Sequence, residues 1–238
     1  VFEPPLTWQQ LPNGDKLKDM VQQCLDPWLI GMLGDQLLKL GALSAQLDTH
    51  KAPIKRHFSG YHCGDTDIRL SPECLPIQSH CIDLTLMSFV LDFEENPHAL
   101  LREVDRTTIG GGHIMILGFN PLSSLLLGQL IPSKRKQYPW CGRFFGSARL
   151  CDWLSLLGYQ VVANERLLVH HMLGDYKPES KLQSFADKHF AQAGSVYMIL
   201  AKKISLPMTP VKKRKGAKKA AWRPVPTAGR TSRVKNPQ

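Results

Sequence analysis

The chain has 238 residues, 43% of them hydrophobic, which suits one domain of ordinary size with a full core. Its formal net charge of +10 is concentrated in one place. Residues 205–238 hold ten Lys and Arg and no acid, so residues 1–204 carry 20 basic against 20 acidic residues. No apolar run approaches the roughly 18 residues that would span a bilayer. The opening Val1-Phe2-Glu3-Pro4-Pro5 shows no basic stretch leading into an apolar one, so no secretory signal is expected. The six cysteines form no C-x-x-C pair and read as free thiols of a cytoplasmic protein.

Residues 1–14 are rich in Pro and read as extended, with Asp15 placed to cap a helix. Leu17, Met20, Val21, Cys24 and Leu25 recur at three and four, one face of a helix reaching Leu33 that Pro27 can split in two. Gln36 to Leu40 reads as a first strand ending at Gly41. Short strands are expected at Ile54 to Phe58 and Ile68 to Leu70, the second stopped by Ser71-Pro72. The segment from Leu75 to Pro121 is the most informative. An apolar run, Ile82 to Val90, leads to an Asn96-Pro97 helix start. The helix closes on Gly110-Gly111-Gly112, and a second apolar run spans His113 to Phe119. Strand, helix, strand at this length implies a right-handed crossover between parallel strands. Residues 121–145 read as an insertion with three prolines and a basic cluster at Lys134, Arg135 and Lys136. A helix from Gly146 or Ser147 to Leu157 is expected, then strands at Tyr159 to Ala163 and Val196 to Ala201. Most of these strands are apolar throughout, as strands covered on both faces are. The fold class expected is α/β, an open, mainly parallel sheet that binds ligands outside the carboxyl ends of its strands.

These residues carry a resemblance. Leu75-Pro76-Ile77, Asp83, the run Leu84 to Phe89, Asn96-Pro97, Leu101-Arg102-Glu103, Arg106 and Gly110-Gly111 together resemble the class I S-adenosylmethionine-dependent methyltransferases of the type 11 family. Leu37 to Gly41, Gly118 to Pro121 and Asp152 to Leu157 are similar to an uncharacterised bacterial subgroup of it. The resemblance covers roughly residues 20–204. It implies a three-layer, seven-stranded Rossmann-like sheet ending in an antiparallel hairpin. It implies S-adenosylmethionine as cofactor, held along the ends of the first four strands, and direct methyl displacement by an N, O or C nucleophile. Positioning does most of the work in such a reaction, so few side chains need be catalytic.

The family's marks for gripping the donor are altered. Its first strand ends in D-x-G-x-G-x-G, where this chain has Lys39, Gly41, Leu43 and Ala45. The acid expected after the second strand is absent around Lys55 to Ser59, where Arg56 and His57 stand. The Asp expected after the third strand is Ser71, with Glu73 two residues on. The resemblance therefore implies Gly41, Ser71, Glu73 and Ser88 as cofactor-binding residues. Gly41 also suits an ordinary turn, Lys39 suits either a donor carboxylate or solvent, and Asn120 can face the pocket. Asp83 and the Glu103–Arg106 pair, three apart on one helix, read as structural. No metal-ligand spacing occurs among His and Cys.

Two functions follow as expectations. The first is a methyltransferase acting on an unidentified acceptor. The second is a catalytically inactive methyltransferase-like binding module, tethered to nucleic acid or a partner by residues 205–238. Lys212, Lys213, Arg214, Lys215, Lys218 and Lys219 would neutralise phosphates, and Trp222 would stack on a base. A merely solubilising tail is the plainer alternative, and the segment is expected to be disordered alone.

Overall fold

The computed structural model of the chain describes residues 4–121, 123, 137–167 and 194–204. Seven strands form one sheet: β1 (Gly34–Leu40), β2 (Ile54–Tyr61), β3 (Ile68–Arg69), β4 (Ile82–Ser88), β5 (Thr108–Phe119), β6 (Tyr159–Leu167) and β7 (Val196–Lys203). The spatial order is β3-β2-β1-β4-β5-β7-β6. All neighbours are parallel except that β7 runs antiparallel to both β5 and β6. This is the α/β sheet that the sequence predicts, with the final antiparallel hairpin that the resemblance implies.

Helix α1 (Gly14–Ile30) precedes the sheet, and α2 (Ala42–Ala45), α3 (Pro97–Thr107) and α4 (Ser147–Leu156) lie between strands in the chain. Two apolar clusters form. One gathers Leu17, Val21, Leu25 and Leu29 of α1 with Leu37, Leu84, Met115 and Met198 of the strands. The other gathers Leu100, Leu101 and Val104 of α3 and Leu150 and Leu154 of α4 with Leu38, Ile114 and Ile199. The alternation Leu37/Leu38 and Ile114/Met115 between clusters is the period of two that sends successive side chains to opposite faces.

Several boundaries differ from the sequence reading, each for a physical reason. Pro27 does not split α1, because the buried stripe continues through Leu25 and Leu29 on either side and holds the last turn in place. The N-cap is Asn13, in the left-handed region at φ 53°, and Asp15 instead accepts a 2.7 Å bond from Gln9 Nε2 in the first turn. Asn96 caps α3 as expected, its side chain accepting from the Ala99 amide at 3.1 Å. The three glycines do not end that helix. β5 begins directly at Thr108, and Gly110 to Gly112 form an irregularity in it: Ile82 pairs with Thr108, but Leu84 already pairs with His113. Gly111, at φ 84°, takes the left-handed step of this bulge. β2 runs three residues past Phe58 to Tyr61, and β4 stops at Ser88, two residues before Val90.

The expected structural pairs are formed. Asp83 accepts the amides of Asp35 and Gln36 at 2.8 and 2.9 Å, tying β1 to β4 at their amino ends. Arg106 bonds Glu103 and also the carbonyls of Leu75 and Ile77, fastening α3 to the strand-leading loop. Among the described residues no helix is long and apolar enough to cross a membrane. Most of the 121–145 insertion, and all of residues 205–238, lie outside the described residues.

Candidate functional site

The strand order reverses between β1 and β4, which lie side by side with β2 beyond one and β5 beyond the other. Loops leaving adjacent strands part company there, and ligands of open parallel sheets bind in the resulting crevice. In this chain the crevice holds a hollow of about 10 Å³, lined by Pro4, Pro5, Gly41, Tyr61, Ser88 and Val90 among others. That is barely room for one water. Two of the four expected cofactor residues, Gly41 and Ser88, meet there. Ser71 and Glu73 do not line it. Both are exposed on the loop after β3, where Ser71 forms an isolated bridge with Cys74.

Gly41 is required at its position. Its φ is 104°, and a Cβ there would sit 2.4 Å from Val90 Cγ2. Ser88 is 2% exposed, and its amide donates to Ser44 Oγ at 2.8 Å. Its own hydroxyl is buried without a hydrogen-bond partner. A buried hydroxyl left unpaired costs about 1–3 kcal/mol, so such groups need a reason. The next residue, Phe89, adopts φ 59°, a strained conformation for a bulky side chain. Its ring is held between Phe119, stacked at 4.2 Å, and Trp8, edge-on at 5.8 Å.

The extra length of β2 moves its carboxyl end from the Arg56–His57 region to Tyr61-His62. Arg56 and His57 are therefore not at the crevice. His57 bonds Thr49 Oγ1 and the Ile54 carbonyl, at 2.8 and 2.9 Å. At the true end of β2 there is a carboxylate, supplied by another element. The Tyr61 hydroxyl donates to Glu94 Oε1 at 2.5 Å, and Glu94 belongs to the loop between β4 and α3. Burial raises the Glu94 carboxyl, while the Tyr61 bond and the charge of His62 oppose this; Glu73 and Glu95 add to the rise. Burial and Glu94 push the Tyr61 hydroxyl far up, so it remains a donor. Lys39 points elsewhere, its Nζ donating to the carbonyls of Ala45 and Leu47 at 3.0 and 3.4 Å. Asn120 Nδ2 donates to the Gly194 carbonyl at 2.9 Å and ties β5 to the start of β7.

Sequence reasoning missed Glu94 and Asp92. Asp92 is 1% exposed, accepts the Phe119 amide at 3.2 Å on Oδ2, and has no partner on Oδ1. Burial holds its carboxyl well above the usual range, against the opposing pull of the Phe119 and Phe145 amides. An acid inside the apolar stretch Phe89-Val90-Leu91-Asp92-Phe93 was the available signal. A second, open cleft of about 430 Å³ adjoins, lined by Pro4, Leu6, Gln10, His62, Cys63 and Tyr138.

Similarity to solved structures lies at the level of fold. YcgJ of Bacillus subtilis matches with a TM-score of 0.55 at 12% identity, over 78% of this chain and 98% of its own. Geranyl diphosphate C-methyltransferase of Streptomyces coelicolor A3(2), solved with S-adenosyl-L-homocysteine, matches at 0.53 and 12%, covering 77% of each chain. The [4+2]-cyclase SpnF matches at 0.52 and 15%, covering 86% of each. A cyclase among them shows that this architecture hosts more than methyl transfer. No protein-family model matches the chain. In sequence, the uncharacterized protein YafS of Escherichia coli (strain K12) is 34% identical over 214 residues, 89% of this chain and 87% of its own length. The chain belongs to the family of YafS.

Proposed function

We propose that the chain is an S-adenosylmethionine-dependent methyltransferase of type 11 character, with a rearranged donor site. The observation that carries this is the unpartnered Ser88 hydroxyl, buried beside Gly41 where the sheet order reverses. In this reading Gly41 gives the ligand close backbone approach and Ser88 hydrogen-bonds its amino acid part. Glu94, held by Tyr61, accepts from the ribose hydroxyls in place of the acid missing from β2. Ser71 and Glu73 border the base. The donor supplies an activated methyl group; the protein's own part is to orient it and exclude water. The polar groups suit such a ligand, whereas the hollow as it stands is far too small for one.

Isothermal titration of the full chain with S-adenosylmethionine and S-adenosylhomocysteine tests this. Saturable heat at micromolar ligand is the expected result. No heat and no thermal shift at millimolar ligand would sink the reading. The six free thiols support a cytoplasmic setting. For residues 205–238 the composition supports phosphate contact through Lys212, Lys213, Arg214, Lys215, Lys218 and Lys219, with affinity arising from counterion release rather than base reading.

A further inference from the structure

The hollow at Ser88 is walled in part by the chain's own amino-terminal segment. Pro4 and Pro5 form part of its wall, and Pro4 also lines the open 430 Å³ cleft on the other side. Pro4 is thus shared by the hollow at the buried Ser88 hydroxyl and by a cavity large enough for a small-molecule ligand. Among the described residues, two side-chain hydrogen bonds hold the segment down. Gln46 Nε2 donates to the Leu6 carbonyl at 2.7 Å. Gln10 Oε1, beyond Trp8 in the chain, accepts the Leu6 amide at 2.7 Å and is a second tether. Behind these, Trp8 is wholly buried, with Nε1 donating to the Leu43 carbonyl at 3.1 Å and its ring against Phe89. Ahead of the buried Trp8, Pro5 is buried as well, while Leu6, at 38%, and Thr7 are exposed.

We propose that residues 4–7 are a gate over the ligand site, pivoting on Trp8. The closed arrangement seen here excludes ligand, and opening joins the Ser88 hollow to the cleft at His62, Cys63 and Tyr138. This rests on the reading of the crevice as a donor site, but it concerns access rather than chemistry. If the closed form competes with ligand, the apparent affinity is reduced by the fraction of molecules that are open. Loosening the closed form must then tighten binding. A segment that merely walled the bound ligand would do the opposite.

Gln46→Ala removes the tether to Leu6 from a half-buried position, together with the 3.2 Å bond from the same Nε2 to the Ala42 carbonyl, which does not involve the segment. Two readouts of the full chain are compared with and without the substitution. The first is the rate at which a cysteine placed by Ser88→Cys reacts with a small thiol reagent, resolved from the six native thiols by peptide mass. The second is the Kd for S-adenosylhomocysteine in the chain that keeps Ser88. Losing one hydrogen bond from the closed form should raise the labelling rate and tighten the Kd, each by about fivefold. Unchanged labelling of the buried position overturns the gate whatever the ligand does, and so does a weakened Kd. Faster labelling with no ligand binding in either form leaves the gate standing and removes the donor reading instead.

Discussion

Ser88 shows how a single side chain can separate folding from function. Its hydroxyl is buried and unsatisfied, so removing it should relieve the fold. Ser88→Ala is expected to keep or raise stability, by up to about 1 kcal/mol in urea unfolding. The same change should weaken S-adenosylhomocysteine binding about tenfold by titration, since one hydrogen bond to a charged ligand group is lost. Equal binding by both forms would remove Ser88 from the site. Asp92 gives a test in pH. Its proton is held more tightly in the folded chain than in the unfolded one, where the carboxyl titrates near about 4. The fold therefore loses stability as pH rises from the unfolded value through the raised folded one. Asp92→Asn imitates the protonated carboxyl and has no such slope. Urea midpoints measured from pH 4 to pH 8 should show the variant gaining on the native chain as pH rises.

At the scale of elements, strand and helix ends decide where the site lies. Asn96 sets the start of α3 and so the length of the β4–α3 loop, from which Asp92 and Glu94 hang. Asn96→Ala is expected to cost about 1 kcal/mol in unfolding free energy, the usual loss for an N-cap side chain. That variant should also weaken ligand binding, because the loop that carries Glu94 loses its fixed end. The interiors of β1, β4 and β5 were readable as apolar runs. Their ends were not, because an end is set by what the strand meets. β2 continues to Tyr61 because Gly60 and Tyr61 pair with Ile68 and Arg69 of β3. β5 starts five residues before His113 because the bulge absorbs the glycines that would otherwise end the helix.

At the scale of the whole molecule, the charge is confined to one terminal stretch. Deleting residues 205–238 removes ten cationic side chains and leaves the rest formally neutral. The truncated chain should keep its urea midpoint and lose any steeply salt-dependent binding to single-stranded RNA, read by fluorescence anisotropy between 50 and 200 mM salt. Binding that survives the deletion would move the nucleic-acid contact elsewhere.

While the final hairpin came from the resemblance, the sequence by itself determined the sheet class, the crossover and the structural roles of Asp83, Glu103 and Arg106. Those follow from periodicity and from spacing within one element, which are local. Gly41 and Ser88 were named from the resemblance, and both lie at strand ends beside the hollow. The sequence could not place the carboxylate at the end of β2. Glu94 lies 33 positions after Tyr61 in the chain and reaches it only because β1 and β4 are neighbours in the sheet. Nor could it show that Pro4 and Pro5 wall the hollow, since the contact between residues 4–8 and residues 41–46 and 88–90 exists only once Trp8 is buried against Phe89. Tertiary structure decided these points because strand order, and not chain order, brings their residues together.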